Sequence, residues 1–197
     1  MVTVYCGSIR RLGEEQKNTV LSTLSPEALA RLNAKHHEHL YSSSLFALSL
    51  LTDEQRGDLD YTKEGKPFFK TLDANISISH SILGVAVAIT DSKSSRVGID
   101  IETFHDRAPD IQAVNRLVFR FFTLDEGQLY ASGTPFSEIW TKKEALFKYL
   151  DDNDVPFPLI DVTRTRKYKV KFTTIQEFEQ FLSVCTATGE KVEIITV

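Results

Sequence analysis

Two acids stand two residues apart in V-G-I-D-I-E, residues 97–102. Side chains alternate along an extended chain, so Asp100 and Glu102 leave one face of a strand while Ile99 and Ile101 enter the core. Like charges on one face repel, and a hard divalent cation with oxygen ligands removes that penalty, which makes Mg2+ the natural candidate. The ordinary alternative is a solvated strand end. In I-W-T-K-K-E-A-L-F-K, residues 139–148, Glu144 and Lys148 fall at i and i+4 of a helix, on the face of Trp140. They form either a surface ion pair or, where helix and strand meet, a third carboxylate for a metal and a cation for phosphate oxygens. Lys142 and Lys143 are unremarkable by the same test. Ser79-His80-Ser81 could bind an anion, or His80 could be a half-buried polar group. Thr123-Leu124-Asp125-Glu126 is a capping box in which Glu126 bonds the Thr123 backbone. No G-x-S-x-G supports a serine hydrolase.

These residues need elements to hold them. Ser25-Pro26-Glu27 predicts a helix start, with Leu29, Leu32, His36 and Leu40 following at roughly helical spacing. A second amphipathic stretch covers Ser42 to Leu51, and Gly57 to Pro67 reads as loop. Asn75 to His80 alternates as a strand, Gly84 to Thr90 is a short buried strand, and Asp91 to Arg96 is a polar turn and candidate boundary. Beyond it come a strand from Val97 to Glu102, a helix begun by Pro109 and a helix from Thr134-Pro135 to Leu150. Strand candidates follow at Lys167–Phe172, Ser183–Ala187 and Val192–Val197, with a short helix from the T-I-Q-E capping box at Thr174. The expected class is a pseudo-duplicated α+β fold with halves at 1–95 and 96–197, although no residue-level repeat is visible.

The chain has 197 residues, 42% hydrophobic and 25% charged, which is ordinary globular composition rather than disorder or coiled coil. Its longest apolar run, Val85 to Ile89, falls far short of the ~18 residues of a membrane span. The first eleven residues lack the pattern of a secretory signal, so the cytoplasm is the expected location. Cys6 and Cys185 form no CxxC pair, which disfavours thiolate zinc sites and disulfide scaffolds. A formal charge of −4 gives no global attraction to nucleic acid.

Taken in order, G-K-P at 65–67, S-I-S-H-S at 77–81, V-G-I-D-I-E at 97–102, R-F-F-T-x-x-E at 120–126 and W-T-K-K-E-A-L-F-K at 140–148 resemble the 4′-phosphopantetheinyl transferases. The likeness is to the two-halved monomeric type that primes synthase carrier proteins, and it spans about residues 25 to 187. It implies coenzyme A and Mg2+ bound between the halves. Asp100, Glu102 and Glu144 then match the metal carboxylates, and Lys148 the lysine on the reacting phosphates. Glu126 falls on an acidic position that completes the metal site or helps activate the carrier serine. Ser79 and His80 match the pair that receives the 3′-phosphate and adenosine end, assisted by Lys66. Family members commonly carry an arginine near the start of the second helix, where this chain has Ser43 or Ser44, leaving Arg31 and Lys35 as the nearest cations. They also usually have a glycine-containing loop after the lysine, where this chain reads Y-L-D-D-N-D.

The implied reaction moves the phosphopantetheine arm from coenzyme A to a serine of an acyl or peptidyl carrier protein, releasing 3′,5′-ADP, with Glu144 or Glu126 accepting the serine proton. Acidic carriers would need a local basic surface. Lys167, Lys169 and Lys171 are expected on one strand face, either for that purpose or to protect a sheet edge. A non-catalytic paralogue that binds a carrier or nucleotide and a metal-dependent phosphohydrolase are the alternatives.

Overall fold

A computed structural model describes residues 1–103, 111–151, 155–177 and 179–197. Pro109, expected to open a helix, and the stretch 152–154 after Lys148 lie outside the described residues.

The fold is α+β. The described elements run β1 (Val2–Ser8), α1 (Glu14–Thr23), α2 (Pro26–Asn33), α3 (Glu38–Ser49), α4 (Asp53–Asp58), β2 (Leu59–Tyr61), β3 (Pro67–Phe69), β4 (Ile76–His80), β5 (Gly84–Thr90) and β6 (Val97–Thr103). They continue with α5 (Ile111–Phe121), α6 (Leu124–Ala131), α7 (Phe136–Leu150), the one-turn α8 (Thr165–Tyr168), β7 (Val170–Glu177), β8 (Gln180–Ala187) and β9 (Val192–Thr196). Local chemistry accounts for several boundaries. Ser25 caps α2 by accepting from the Ala28 amide at 3.1 Å ahead of Pro26, and Thr52 and Thr123 open α4 and α6 with capping boxes.

One sheet has the order β4-β5-β1-β9 and a second the order β6-β8-β7, while β2 and β3 form a small hairpin. Sheet membership does not follow a division at residue 95 throughout, because β9 returns to pair in parallel with β1. Three apolar cores stack in order. Val20, Leu32, Leu45 and Leu48 pack onto Val85, Val87 and Ile89 of the first sheet. Val4, Ala86 and Ala88 on the other face of that sheet meet Ile99, Ile101 and Val184. Ile139, Ala145 and Leu146 of α7 cover Val170 and Cys185.

The two sheets are also joined by polar contacts. β6 is an edge strand, and its Ile99 and Ile101 amides donate to Ser77 Oγ at 3.1 Å and Ser79 Oγ at 3.4 Å on β4, itself an edge strand. The alternation read in N-I-S-I-S thus sends Ile76 and Ile78 to the helical core and both serines across the seam.

Several local expectations are corrected. The T-I-Q-E segment is strand, with Thr174 opposite Ser183 and Ile175 opposite Leu182, because ladder pairing of β-branched residues outweighs a local capping pattern. The three lysines do not share a strand face: Lys167 lies in α8, Lys169 turns the chain with φ 55° and Lys171 alone is in β7. The stretch read as loop at 57–67 contains β2 and the start of β3, and β1 and α1 precede the first helix read from the sequence.

α7 lies so close on β6 that a β-carbon at Gly98 would run into the Ala145 carbonyl oxygen and come within 2.5 Å of the Tyr149 amide nitrogen. Gly98→Ala is therefore expected to destabilise the protein by about 1–3 kcal/mol through overpacking, read as a lower denaturant midpoint at unchanged slope.

Candidate active site

Close approach of α7 to β6 brings Lys148 onto the edge of β6. Its ammonium donates to Asp100 Oδ1 at 2.7 Å, to the Ile99 carbonyl at 3.0 Å and to Ser79 Oγ at 3.2 Å. Ser79 in turn donates to Asp100 Oδ1 at 2.7 Å. Three residues from separate sequence motifs thus form one network across the sheet seam. Asp100 is buried, and burial pushes its carboxyl up from the ordinary range against the opposing pull of Lys148 and Ser79. One helical turn before Lys148, burial together with the Asp100 and Glu102 carboxylates raises Glu144 to about 7, with Lys148 opposing. The carboxylates of Asp100, Glu102 and Glu144 therefore repel one another beside Lys148.

An oxygen-only donor set of this kind suits a hard cation such as Mg2+, and the raised Glu144 carboxyl is the observation that supports the fit: a cation would replace its proton. Among the described residues, no three Asp, Glu, His or Cys side chains are grouped as a metal shell.

Beside this network lie two adjoining cavities. One, of about 140 Å3, is lined by Arg31, Lys35, Ser44, Tyr61 and His80, among others. The other, of about 330 Å3, includes Lys66, Ser77, Phe147, Lys148 and Asp151 in its wall, and the two share Gly65, Pro67 and Ile78. Arg31 stacks its guanidinium 4.7 Å from the centre of the Tyr61 ring and donates to the Gly65 carbonyl at 3.3 Å. Gly65 has φ 94°, and a side chain there would collide with that guanidinium, so G-K-P is a turn shaped around Arg31. Ser44 faces the smaller cavity, whereas Ser43 is buried and donates to the Leu40 carbonyl. Burial, then the charges of Lys35, Lys148 and His39, holds the His80 imidazole below its ordinary pKa. Both effects favour the neutral ring. A larger open concavity of about 970 Å3 along α5 has Arg116 and Arg120 in its wall.

Ser79 and His80 are not a joint pair: they leave opposite faces of β4, one toward Asp100 and the other toward the smaller cavity. Glu126 is held apart from the seam network. It is fully buried, and Oε2 accepts from the Lys143 ammonium at 2.7 Å and the Thr123 amide at 2.8 Å, while Oε1 accepts from the Val162 amide at 3.0 Å. Lys143 also donates to the Ile160 carbonyl and lies over the Phe157 ring. The expected capping box is present, but the lysine, read as unremarkable, is what binds it to α7. The signal was its place in the apolar stripe, four residues after Ile139 and three before Leu146.

Residues 96–192 match the family model described as the 4′-phosphopantetheinyl transferase superfamily. This stretch of the chain is similar to that superfamily. The match contains Asp100, Glu102, Glu126, Glu144 and Lys148, and it supports transferase chemistry on phosphopantetheine. No curated protein matches the chain.

Two outcomes are expected of this region. Unfolded chain releases the Glu144 proton near the ordinary carboxylate pKa, whereas the folded protein holds it to about 7. This group's contribution to stability is therefore lost as pH rises from about 4.5 to about 7. In melts of the metal-free protein, Glu144→Gln should gain stability relative to wild type across that interval, and Mg2+ should stabilise the wild type more than the variant. Separately, Glu126→Gln leaves Lys143 buried without its counter-charge and should lower stability by about 3 kcal/mol in denaturant titration. Adding Lys143→Met should recover more than half of that loss.

Proposed function

We propose that the protein transfers the 4′-phosphopantetheine arm of coenzyme A to a serine of an apo acyl or peptidyl carrier protein, releasing 3′,5′-ADP. The observation that carries this reading is the Lys148–Asp100–Ser79 network with Glu144 beside it, adjoining a cleft walled by cations of both halves. Residues 1–95 would serve the nucleotide side and residues 96–197 the reacting side of a pseudo-duplicated fold. The protein would act as a monomer in the cytoplasm. No described helix is long and apolar enough to cross a membrane.

Asp100, Glu102 and Glu144 are the proposed donors for Mg2+, which when bound supplies neutralising charge at the pyrophosphate. Lys148, released from Asp100, would donate to the oxygen on which negative charge grows as the phosphate–phosphate link breaks. The serine oxygen forms the new bond to the phosphorus of the arm and gives up its proton. Glu144 is the better proton acceptor of the two carboxylates considered, because Glu126 has both oxygens engaged in the core. Arg31, Lys35, His80 and Lys66 would hold the 3′-phosphate and nucleotide, while Ser79 would act by orienting Lys148 and Asp100.

Ser44 in the wall of the smaller cavity, where an arginine is expected, favours a second reading: a paralogue that binds carrier or nucleotide without transfer. One experiment separates them. Apo carrier protein incubated with coenzyme A, Mg2+ and the protein should gain the mass of the phosphopantetheine arm. Lys148→Ala should lower the rate at least about 100-fold with folding retained. Carrier binding without a mass gain would establish the paralogue, and nucleotide release from an unmodified carrier would establish a hydrolase.

A further inference from the structure

The cavity of about 330 Å3 is bridged by an ion pair that ties Lys66 of G-K-P to the end of α7. Lys66 Nζ lies 2.6 Å from Asp151 Oδ2, and both residues belong to the cavity wall. Each partner is anchored in a different half. Lys66 closes the β2–β3 hairpin, where the Thr62 amide donates to its carbonyl at 2.9 Å and its own amide donates to Thr62 Oγ1 at 3.3 Å. Asp151 is the residue at which α7 stops, in the left-handed region at φ 51° and ψ 28°, with its amide donating to the Phe147 carbonyl at 3.3 Å. Glycine is the common residue in that conformation, because a side chain there is disfavoured. An acid in its place turns the helix end toward the hairpin across the cleft.

Coulomb attraction makes this pair a competitor. An anion that enters the cavity and draws on Lys66 must displace the carboxylate already there. At 36% and 55% side-chain exposure the pair is solvated, which makes it weak enough to exchange rather than a permanent weld. Glu64 also lines the cavity, so a mere excess of negative charge has to be distinguished from competition for one ammonium.

We infer that Asp151 is an internal stand-in for an anionic ligand group: it holds Lys66 and closes the cleft when the cavity is empty, and yields Lys66 to a phosphate when it is filled. Asp151 thereby sets the affinity of the cleft and its dependence on salt. The inference deepens the proposed function, since it takes the phosphates of coenzyme A as the entering group.

Calorimetric titration with coenzyme A and, separately, inorganic pyrophosphate tests it on wild type, Asp151→Asn, Lys66→Gln, Glu64→Gln and the Lys66→Gln/Asp151→Asn double variant. At low salt, Asp151→Asn should bind about two- to five-fold tighter, the range an exposed ion pair supports. Lys66→Gln should bind more weakly, and Asp151→Asn should add nothing in its presence. The gain should fade toward ~0.5 M salt as the charges are screened. An equal gain in Glu64→Gln, or persistence of the Asp151→Asn gain without Lys66, would reduce Asp151 to background repulsion and overturn the inference. Unchanged or weaker binding by Asp151→Asn would overturn it as well. Should wild type bind pyrophosphate but not coenzyme A, the proposed function fails and Asp151 is judged on pyrophosphate alone; binding of neither overturns both.

Discussion

A sheet edge leaves backbone amides that must find partners, and the arrangement of this protein turns on how two of them are met. The Ile99 and Ile101 amides on the free edge of β6 donate to the hydroxyls of Ser77 and Ser79, supplied by the edge strand of the other sheet. Buried amides without partners are costly, so this contact holds the sheets in one register as well as closing their edges. Ser79 then has its proton left to give and gives it to Asp100. Lys148 completes the network by reaching the same serine, the same carboxylate and the Ile99 carbonyl between them. The interaction that joins the sheets is thus the one that positions Asp100 and Lys148.

α7 carries two lysines with opposite fates. Lys143 faces the core, where Glu126, the Ile160 carbonyl and the Phe157 ring replace water around its charge. Lys148 remains 29% exposed and adjoins the cleft, with a partner that burial drives toward its neutral form. A fully enclosed pair resists exchange, because separating it strands a charge in the core, whereas a pair open to solvent can trade its carboxylate for another anion. The first fixes how α7 sits on the sheet, and the Gly98 contact fixes how closely. Together they aim Glu144 and Lys148.

The cleft itself combines preformed and adjustable parts. Arg31 is held by the Tyr61 ring and the Gly65 carbonyl, a geometry that only the missing side chain of Gly65 permits. Burial and neighbouring cations oppose the charge of the His80 imidazole and favour its neutral form. Lys35 shares the cavity wall with Ser44 and adds a long, flexible cation to it.

Much of this was legible in the chain. The alternation in N-I-S-I-S-H and V-G-I-D-I-E set which side chains share a face, Ser25-Pro26 and Thr123 marked helix starts, and the ordered motifs pointed to the family that residues 96–192 match. Those features are local, and local sterics and spacing decide them. What sequence reading could not supply was every pairing made over distance. Ser79 and Asp100 are 21 residues apart and Lys148 another 48 beyond Asp100, and only sheet packing determines that one hydroxyl serves both. Lys143 and Glu126 each had a satisfactory local role, a solvated helix face and a capping box, until tertiary packing removed water from both. The T-I-Q-E segment had a local preference for a helix start, but a ladder with β8 offered its backbone more partners than a capping box could. Sequence determined which groups were available and which faces they occupied; tertiary structure decided their partners, because burial changes the energy of a charge or an amide only once neighbours distant in the chain have closed over it.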